Sequence, residues 1–198
     1  MLKIFNKIIN KILLLFVRNK FNHFGKSKIV FPFKTKNEHL ISIGDGTIIH
    51  KYGWIQGQVA ANVNYKEIYK TVTIGNNCYI GHFSHIIGSK LIRIEDSVLI
   101  ADRVCILDCT HSWQDIHKPI KDQPIIFVDE VVIKQGAWVG EGVTILPGVT
   151  IGKNSIIGAN SVVTKSIPSH SMAAGNPAKV IKRYNIDSTK WEKIKSNK

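Results

Sequence analysis

At 198 residues, 44% hydrophobic and 21% charged, the chain fits one globular domain with attachments, long enough to bury a real core. Its net charge of +13 is confined to the ends: residues 1–40 hold nine Lys/Arg against one acid and residues 179–198 seven against two, while residues 41–178 hold eleven of each, which argues against a nucleic-acid-binding core. Cys78, Cys105 and Cys109 form no CxxC pair and no even-numbered framework, which argues for a reducing compartment and against a disulfide scaffold.

Residues 1–18 bring Lys3, Asn6, Lys7, Asn10, Lys11 and Arg18 together at helical spacing, with Ile4, Phe5, Ile8, Ile12, Leu15 and Phe16 on the other side. The longest uncharged apolar run, Ile12–Val17, has six residues. That is far short of the ~20 that span a bilayer, and no Ala-x-Ala cleavage site follows. The pattern predicts a basic amphipathic helix. Residues 1–20 either lie on an anionic membrane surface or pack on their own domain or a partner subunit. Residues 19–40 are basic and irregular and read as a linker or N-terminal cap, which closes a first region at residue 40.

A repeat of six occupies residues 41–168. Ile43, with Gly44 behind it, reads as an isolated first rung. Ile74, Ile80 and Ile86 form one run, and Ile94, Ile100 and Ile106 another. Ile133, Val139, Ile145, Ile151, Ile157 and Val163 then stand six apart without a break. A period of six fits neither an α-helix nor an alternating strand. It fits a coil of three short flat faces, each sending one large aliphatic residue inward, with stacked coils pairing as parallel strands. The expected fold is therefore all-β, a parallel β-helix. The step from Ile86 to Ile94 is a two-residue slip, and the step from Ile106 to Ile133 is 27 residues. Residues 108–128 must leave the coil as an extruded loop. After Pro168 the ladder stops: 169–178 reads as loop, and Val180, Ile181, Tyr184, Trp191 and Ile194 among lysines predict a short, basic C-terminal helix.

The extruded loop is the longest polar excursion in the repeat body. It carries Asp108, Cys109, Thr110, His111 and Trp113 near its start. An imidazole on such a loop suits a general base, because its pKa lies close to working pH. The later coils read Trp138-Val139-Gly140; Pro147-Gly148-Val149-Thr150-Ile151-Gly152; Gly158-Ala159-Asn160-Ser161-Val162-Val163-Thr164-Lys165; and then Gly175-Asn176-Pro177-Ala178-Lys179.

With Thr110-His111 before them, these motifs resemble the hexapeptide-repeat acetyltransferases related to galactoside, maltose and polysaccharide O-acetyltransferases. The resemblance covers about residues 70–183. It implies a left-handed β-helix, a homotrimer with active sites between subunits, and acetyl-CoA as acyl donor with no metal. It implies direct acetyl transfer to a hydroxyl of a sugar or polysaccharide precursor, with His111 as general base. Asp108 either orients His111 or only shapes the turn. Trp138, Gly140, Ala159, Thr164, Lys165, Lys179 and Lys182 match coenzyme-contacting positions, where lysines suit the anionic phosphates. The family often has Arg where Lys179 and Lys182 stand, so charge is kept and bidentate geometry lost. His82, Ser84 and Trp113 are the candidates for the acceptor, His82 and Ser84 on a coil that faces a neighbour's catalytic His. The reaction is expected in the cytoplasm, at the inner face of the membrane if the N-terminal helix binds there.

Three other readings remain open. One is N-acetylation of an amino sugar. A second is a γ-type carbonic anhydrase using metal-binding histidines among His82, His85, His111 and His117. The third is a non-catalytic scaffold. Cys109 beside His111 also offers a Cys/His nucleophile, but direct transfer needs no covalent intermediate.

Overall fold

The computed structural model describes residues 2–194, with side chains from Ile8 onward. The placements read for Lys3, Ile4, Phe5, Asn6 and Lys7 side chains lie outside the described residues.

Short strands of two to four residues recur on three faces, because each six-residue step offers one inward aliphatic residue and then a corner. The first face stacks His23–Phe24, Ile41–Ile43, Val72–Ile74, Ile92–Ile94, Val131–Ile133 and Thr150–Ile151. The second stacks Lys28–Ile29, Ile48–Ile49, Tyr79–Ile80, Leu99–Ile100, Trp138–Val139 and Ile156–Ile157. The third stacks Lys34–Lys36, Trp54–Gly57, His85–Gly88, Cys105–Leu107, Thr144–Ile145 and Val162–Val163. Neighbours within these stacks are parallel and in register, so Ile43, Ile74, Ile94, Ile133 and Ile151 lie one above another. The result is a parallel β-helix of six coils around an aliphatic column whose isoleucines are almost wholly buried.

Corners are closed by side chains as well as backbone. At the first corner, Asp45 accepts from the Lys26 amide at 2.7 Å, Asn76 from the Asp45 amide at 2.7 Å, and Asp96 from the Asn76 amide at 2.7 Å. Each coil thus satisfies a turn of the coil before it. Gly140 shows why some corners exclude side chains: a Cβ there would lie 2.7 Å from the Ile157 carbonyl oxygen and 2.8 Å from the Ala159 nitrogen.

Three expectations need correction. Ile43 is not an isolated rung: Ile49 and Ile55 follow it at spacings of six, both are buried, and together they form a full coil. Residues 19–40 are not a linker but contain the first coil. Its rungs are Phe24, Ile29 and Thr35, in register with Ile43, Ile49 and Ile55. A Phe and a Thr at two of three positions hide it from an aliphatic ladder. The C-terminal helix is a β-hairpin instead. Ser171–Gly175 pairs antiparallel with Ala178–Asn185, which pairs antiparallel with Lys190–Lys193. Val180 and Lys182 are half-buried while Lys179, Ile181 and Arg183 are exposed, an alternation of period two that no helix provides. The Asn185 carboxamide accepts from the Asp187 and Ser188 amides and turns the chain. This hairpin extends the second face, giving the last coil's edge a partner.

The one α-helix among the described residues, Leu2–Arg18, lies against the first coil. Leu14 and Val17 pack on the core, and the Asn10 side-chain oxygen accepts from the Phe31 amide at 2.7 Å. No described helix is long and apolar enough to cross a membrane.

Replacing Ile100, wholly buried at mid-column, by Ala should lower unfolding free energy by about 2–5 kcal/mol in urea titrations.

Candidate active site

Both long excursions emerge at the same corner, between the third face and the next coil's first face. Residues 58–71 leave after the second coil and residues 108–130 after the fourth. Cys109–His111 forms an antiparallel pair with Ile125–Phe127, so the extruded loop is a hairpin with His111 opposite Ile125. The first excursion then docks on the outer strand of that hairpin. Asn62 makes a matched pair of bonds with the backbone of Phe127, accepting from its amide at 2.7 Å and donating to its carbonyl at 2.9 Å. The Ala61 amide donates to the Ile125 carbonyl at 3.0 Å. His111 is thus carried on a two-stranded hairpin whose outer strand is held by Ala61 and Asn62, which the sequence gives no pattern to foresee.

Asp108 anchors the hairpin's base. Its carboxylate is fully buried and accepts four hydrogen bonds, from the Ser89 amide and hydroxyl at 2.7 and 2.9 Å and from the Lys90 and Leu91 amides at 2.9 and 2.8 Å. Of the two roles open to it, the geometry favours shaping the turn, because its acceptor sites are turned to residues 89–91.

The His111 ring is oriented by another group. Its Nδ1 lies 3.3 Å from the Gln123 carbonyl oxygen. A carbonyl only accepts, so this contact favours the tautomer with its proton on Nδ1 and its lone pair on Nε2. Gln123 is itself held tightly. Its buried amide donates to the Asp115 and Lys118 carbonyls at 2.8 and 2.9 Å, and its side-chain oxygen accepts from the Asp115 amide at 3.3 Å. Gln123 therefore closes the loop upon itself and holds the carbonyl that sets the imidazole. A polar residue before Pro124 in a loop carries no such message in sequence.

Cys109 does not serve as a nucleophile at neutral pH. Burial, reinforced by the Asp108 carboxylate, pushes its thiol up to about 11, so it stays protonated and unreactive.

The remaining candidates divide between two corners and the second face. Trp113 is exposed in the same loop as His111, and Thr164 and Lys165 are exposed at the same kind of corner two coils on. Gly140, Ala159, His82 and Ser84 lie at the corner between the second and third faces. Gly140 is buried by coil-to-coil contact, and Trp138 stands outward in a row with Leu99 and Ile156. Lys179 and Lys182 lie on the terminal hairpin beside Ala174 and Met172 of the last coil. Ser84 needs correction as a substrate contact: it is 1% exposed and its hydroxyl donates to the Ala101 carbonyl at 3.3 Å, so it faces inward.

His82 is accessible and belongs to an aromatic corner. Its ring lies 4.6 Å from that of His50 and its Nδ1 3.4 Å from Asp102. Burial and the neighbouring His82 lower the His50 pKa. Tyr52 and Phe83 stack at 5.1 Å, both exposed and both in the left-handed backbone region, at φ 66° and 58°. Bulky residues rarely adopt that conformation. They border a groove of about 390 Å³ that also contains Phe33, Trp54 and His85. Aligning Lys51-Tyr52-Gly53 with His82-Phe83-Ser84 as equivalent corners would have exposed this pair.

Among the described residues no group of three or more His, Cys, Asp and Glu side chains is gathered as metal ligands. His82 and His85 lie along the aromatic corner, and His111 and His117 on the extruded loop.

The family model of the bacterial transferase hexapeptide (six repeats) matches residues 130–165. The chain is 33% identical over 166 residues to the galactoside O-acetyltransferase of Escherichia coli K12, covering 84% of this chain and 75% of that protein. It is 38% identical over 148 residues to the polysialic acid O-acetyltransferase of Escherichia coli O1:K1 / APEC, covering 70% and 43%. Against three of the curated relatives it matches, the chain spans 65%, 56% and 43% of their length. Among solved structures, the hexapeptide-repeat acetyltransferase VCA0836 of Vibrio cholerae O1 biovar eltor, complexed with acetyl coenzyme A, superposes with a TM-score of 0.58 at 25% identity, covering 86% and 75%. AntD, an N-acyltransferase from Bacillus cereus in complex with dTDP and 3-hydroxybutyryl-CoA, shares the fold at a TM-score of 0.71 and 21% identity, covering 89% and 90%.

Alkylation by iodoacetamide at pH 8 should label Cys109 far more slowly in the folded protein than in urea, as peptide mapping would show. If His111 is the base, Gln123→Ala should slow turnover by roughly tenfold or more while substrate KM changes little, since it loosens the loop that orients the imidazole and not a binding surface.

Proposed function

Because the chain belongs to the hexapeptide-repeat transferase family, we propose that it moves an acetyl group from acetyl-CoA to a hydroxyl of a sugar or cell-surface polysaccharide precursor, with His111 as general base. The observation that carries this reading is the 3.3 Å approach of the Gln123 carbonyl oxygen to His111 Nδ1, which favours a proton there and leaves Nε2 as the acceptor. The acceptor hydroxyl gives its proton to Nε2 as its oxygen attacks the thioester carbonyl. The tetrahedral oxyanion, stabilised by a hydrogen-bond donor, collapses and expels the coenzyme as thiolate. The imidazolium then returns the proton to that sulfur. General-base help of this kind is worth ~10²–10⁴ in rate.

Thr164, Lys165, Lys179 and Lys182 are exposed or half-exposed around the last coil and its hairpin. They suit the coenzyme's pantetheine and phosphates, lysines acting there as point charges. The aromatic corner of Tyr52, Phe83 and His82 suits a sugar ring, whose apolar face stacks on exposed aromatics. In one chain that corner and the His111 corner lie on opposite edges of the third face. A homotrimer resolves this by setting one copy's aromatic corner against the next copy's His111. Three free cysteines and an acetyl-CoA donor suit a reducing, cytoplasmic setting.

Release of coenzyme thiol from acetyl-CoA should rise on adding the correct member of a sugar panel. His111→Ala should lower that rate about 10²–10⁴-fold, and equal rates in the two proteins would rule out His111 as base. Light scattering should return three times the chain mass, and a monomer would break the two-copy site.

A further inference from the structure

The helix Leu2–Arg18 is oriented in an unusual way. A surface helix ordinarily turns its apolar stripe toward its own domain and its polar face to water. Here the strip touching the β-helix is narrow: Asn10, Leu14 and Val17, one of them bound through a hydrogen bond to the Phe31 amide. The face turned outward is the apolar one, with Phe16 73% and Leu15 63% exposed and Ile8 and Ile12 about half exposed. At 100° per residue, Ile8, Ile12, Leu15 and Phe16 fall on one arc opposite Asn10, Leu14 and Val17, while Lys11 and Arg18 fall together on its flank. The helical sequence holds four cations and no acid.

We propose that this outward face docks on an anionic lipid surface, the helix lying in the interfacial plane with its apolar arc buried and Lys11 and Arg18 at the headgroups. Charge decides the occupant. A second copy meeting this face across a two-fold axis would set cation-bearing helices with no acids against each other, whereas anionic headgroups complement them. The neighbouring surface continues the same character. A groove of about 600 Å³ between helix and first coil is lined by Leu13, Phe31, Phe33 and Tyr52, with Lys51. It shares Pro32, Phe33 and Tyr52 with the aromatic groove at the acceptor corner. A docked helix would therefore hold the aromatic corner close under the membrane surface.

The test is sedimentation of the full chain with vesicles of phosphatidylcholine alone or mixed with phosphatidylglycerol. Binding on the order of tenfold stronger to the mixed vesicles is expected, falling as salt is raised. The double variant Ile12→Asp/Phe16→Asp, which leaves the docked strip intact, should abolish sedimentation. Lys11→Glu/Arg18→Glu should weaken it toward the level of neutral vesicles. Equal binding to both vesicle types, no binding, or binding unaffected by these variants overturns the proposal. So does a fall in particle mass by light scattering in the Ile12/Phe16 variant of a chain that does not sediment, since that marks a second copy as the occupant. Thiol release with a water-soluble acceptor should be unchanged in both variants. Membrane docking and acetyl transfer therefore fail or hold separately.

Discussion

The structure depends on one packing constraint: each flat face sends one side chain into a narrow central column, and from the second coil onward that side chain is aliphatic. Ile43, Ile74, Ile94, Ile133 and Ile151 stack on the first face, and Ile49, Ile80, Ile100, Val139 and Ile157 on the second. Backbone pairing between coils holds them at strand spacing, so the column and the hydrogen-bond ladders enforce each other. A residue added within a face would turn every later side chain the wrong way. Extra residues can therefore leave only at corners.

That rule explains where the long excursions lie. Both long excursions leave at one corner, two coils apart, and meet through Asn62 and Phe127. The intervening short turn, residues 89–91, fills the gap between them and is capped by the buried Asp108 carboxylate. The rigid coil thus supplies the floor on which a loop can hold an imidazole steady. Three layers of support reach His111: Asp108 below the hairpin, Asn62 beside it, and Gln123 within it.

The second corner uses a different device. Corner positions of successive coils stack, so Tyr52 and Phe83 come face to face although they are 31 residues apart in sequence. Both hold the left-handed backbone conformation that this corner imposes from the second coil onward, as Arg103, Gly142 and Asn160 show farther on. What sets the pair apart is that both side chains are large, aromatic and exposed. Burial disfavours the charged form of the neighbouring His50, while the Asp102 carboxylate approaches His82 Nδ1 at 3.4 Å.

Sequence alone determined the repeat from Ile74 onward, where rungs of Ile and Val recur at six, although Ile49 and Ile55 behind Ile43 went unread, and the interruption between Ile106 and Ile133 marked the loop bearing His111. It determined the family motifs of the later coils and the separation of positive charge from the repeat body. It did not reveal the first coil, whose rungs Phe24 and Thr35 break the aliphatic pattern, and it mistook the terminal strand pair for a helix. A segment such as 178–185 takes its conformation from the open sheet edge it covers, not from its own propensity. Only the tertiary structure decided the roles of Asp108, Asn62, Gln123 and Ser84, since each depends on a backbone partner brought near by stacking. The same holds for the N-terminal helix: its sequence carries an apolar arc and a basic flank, but which side turns outward is set by where Asn10, Leu14 and Val17 meet the first coil.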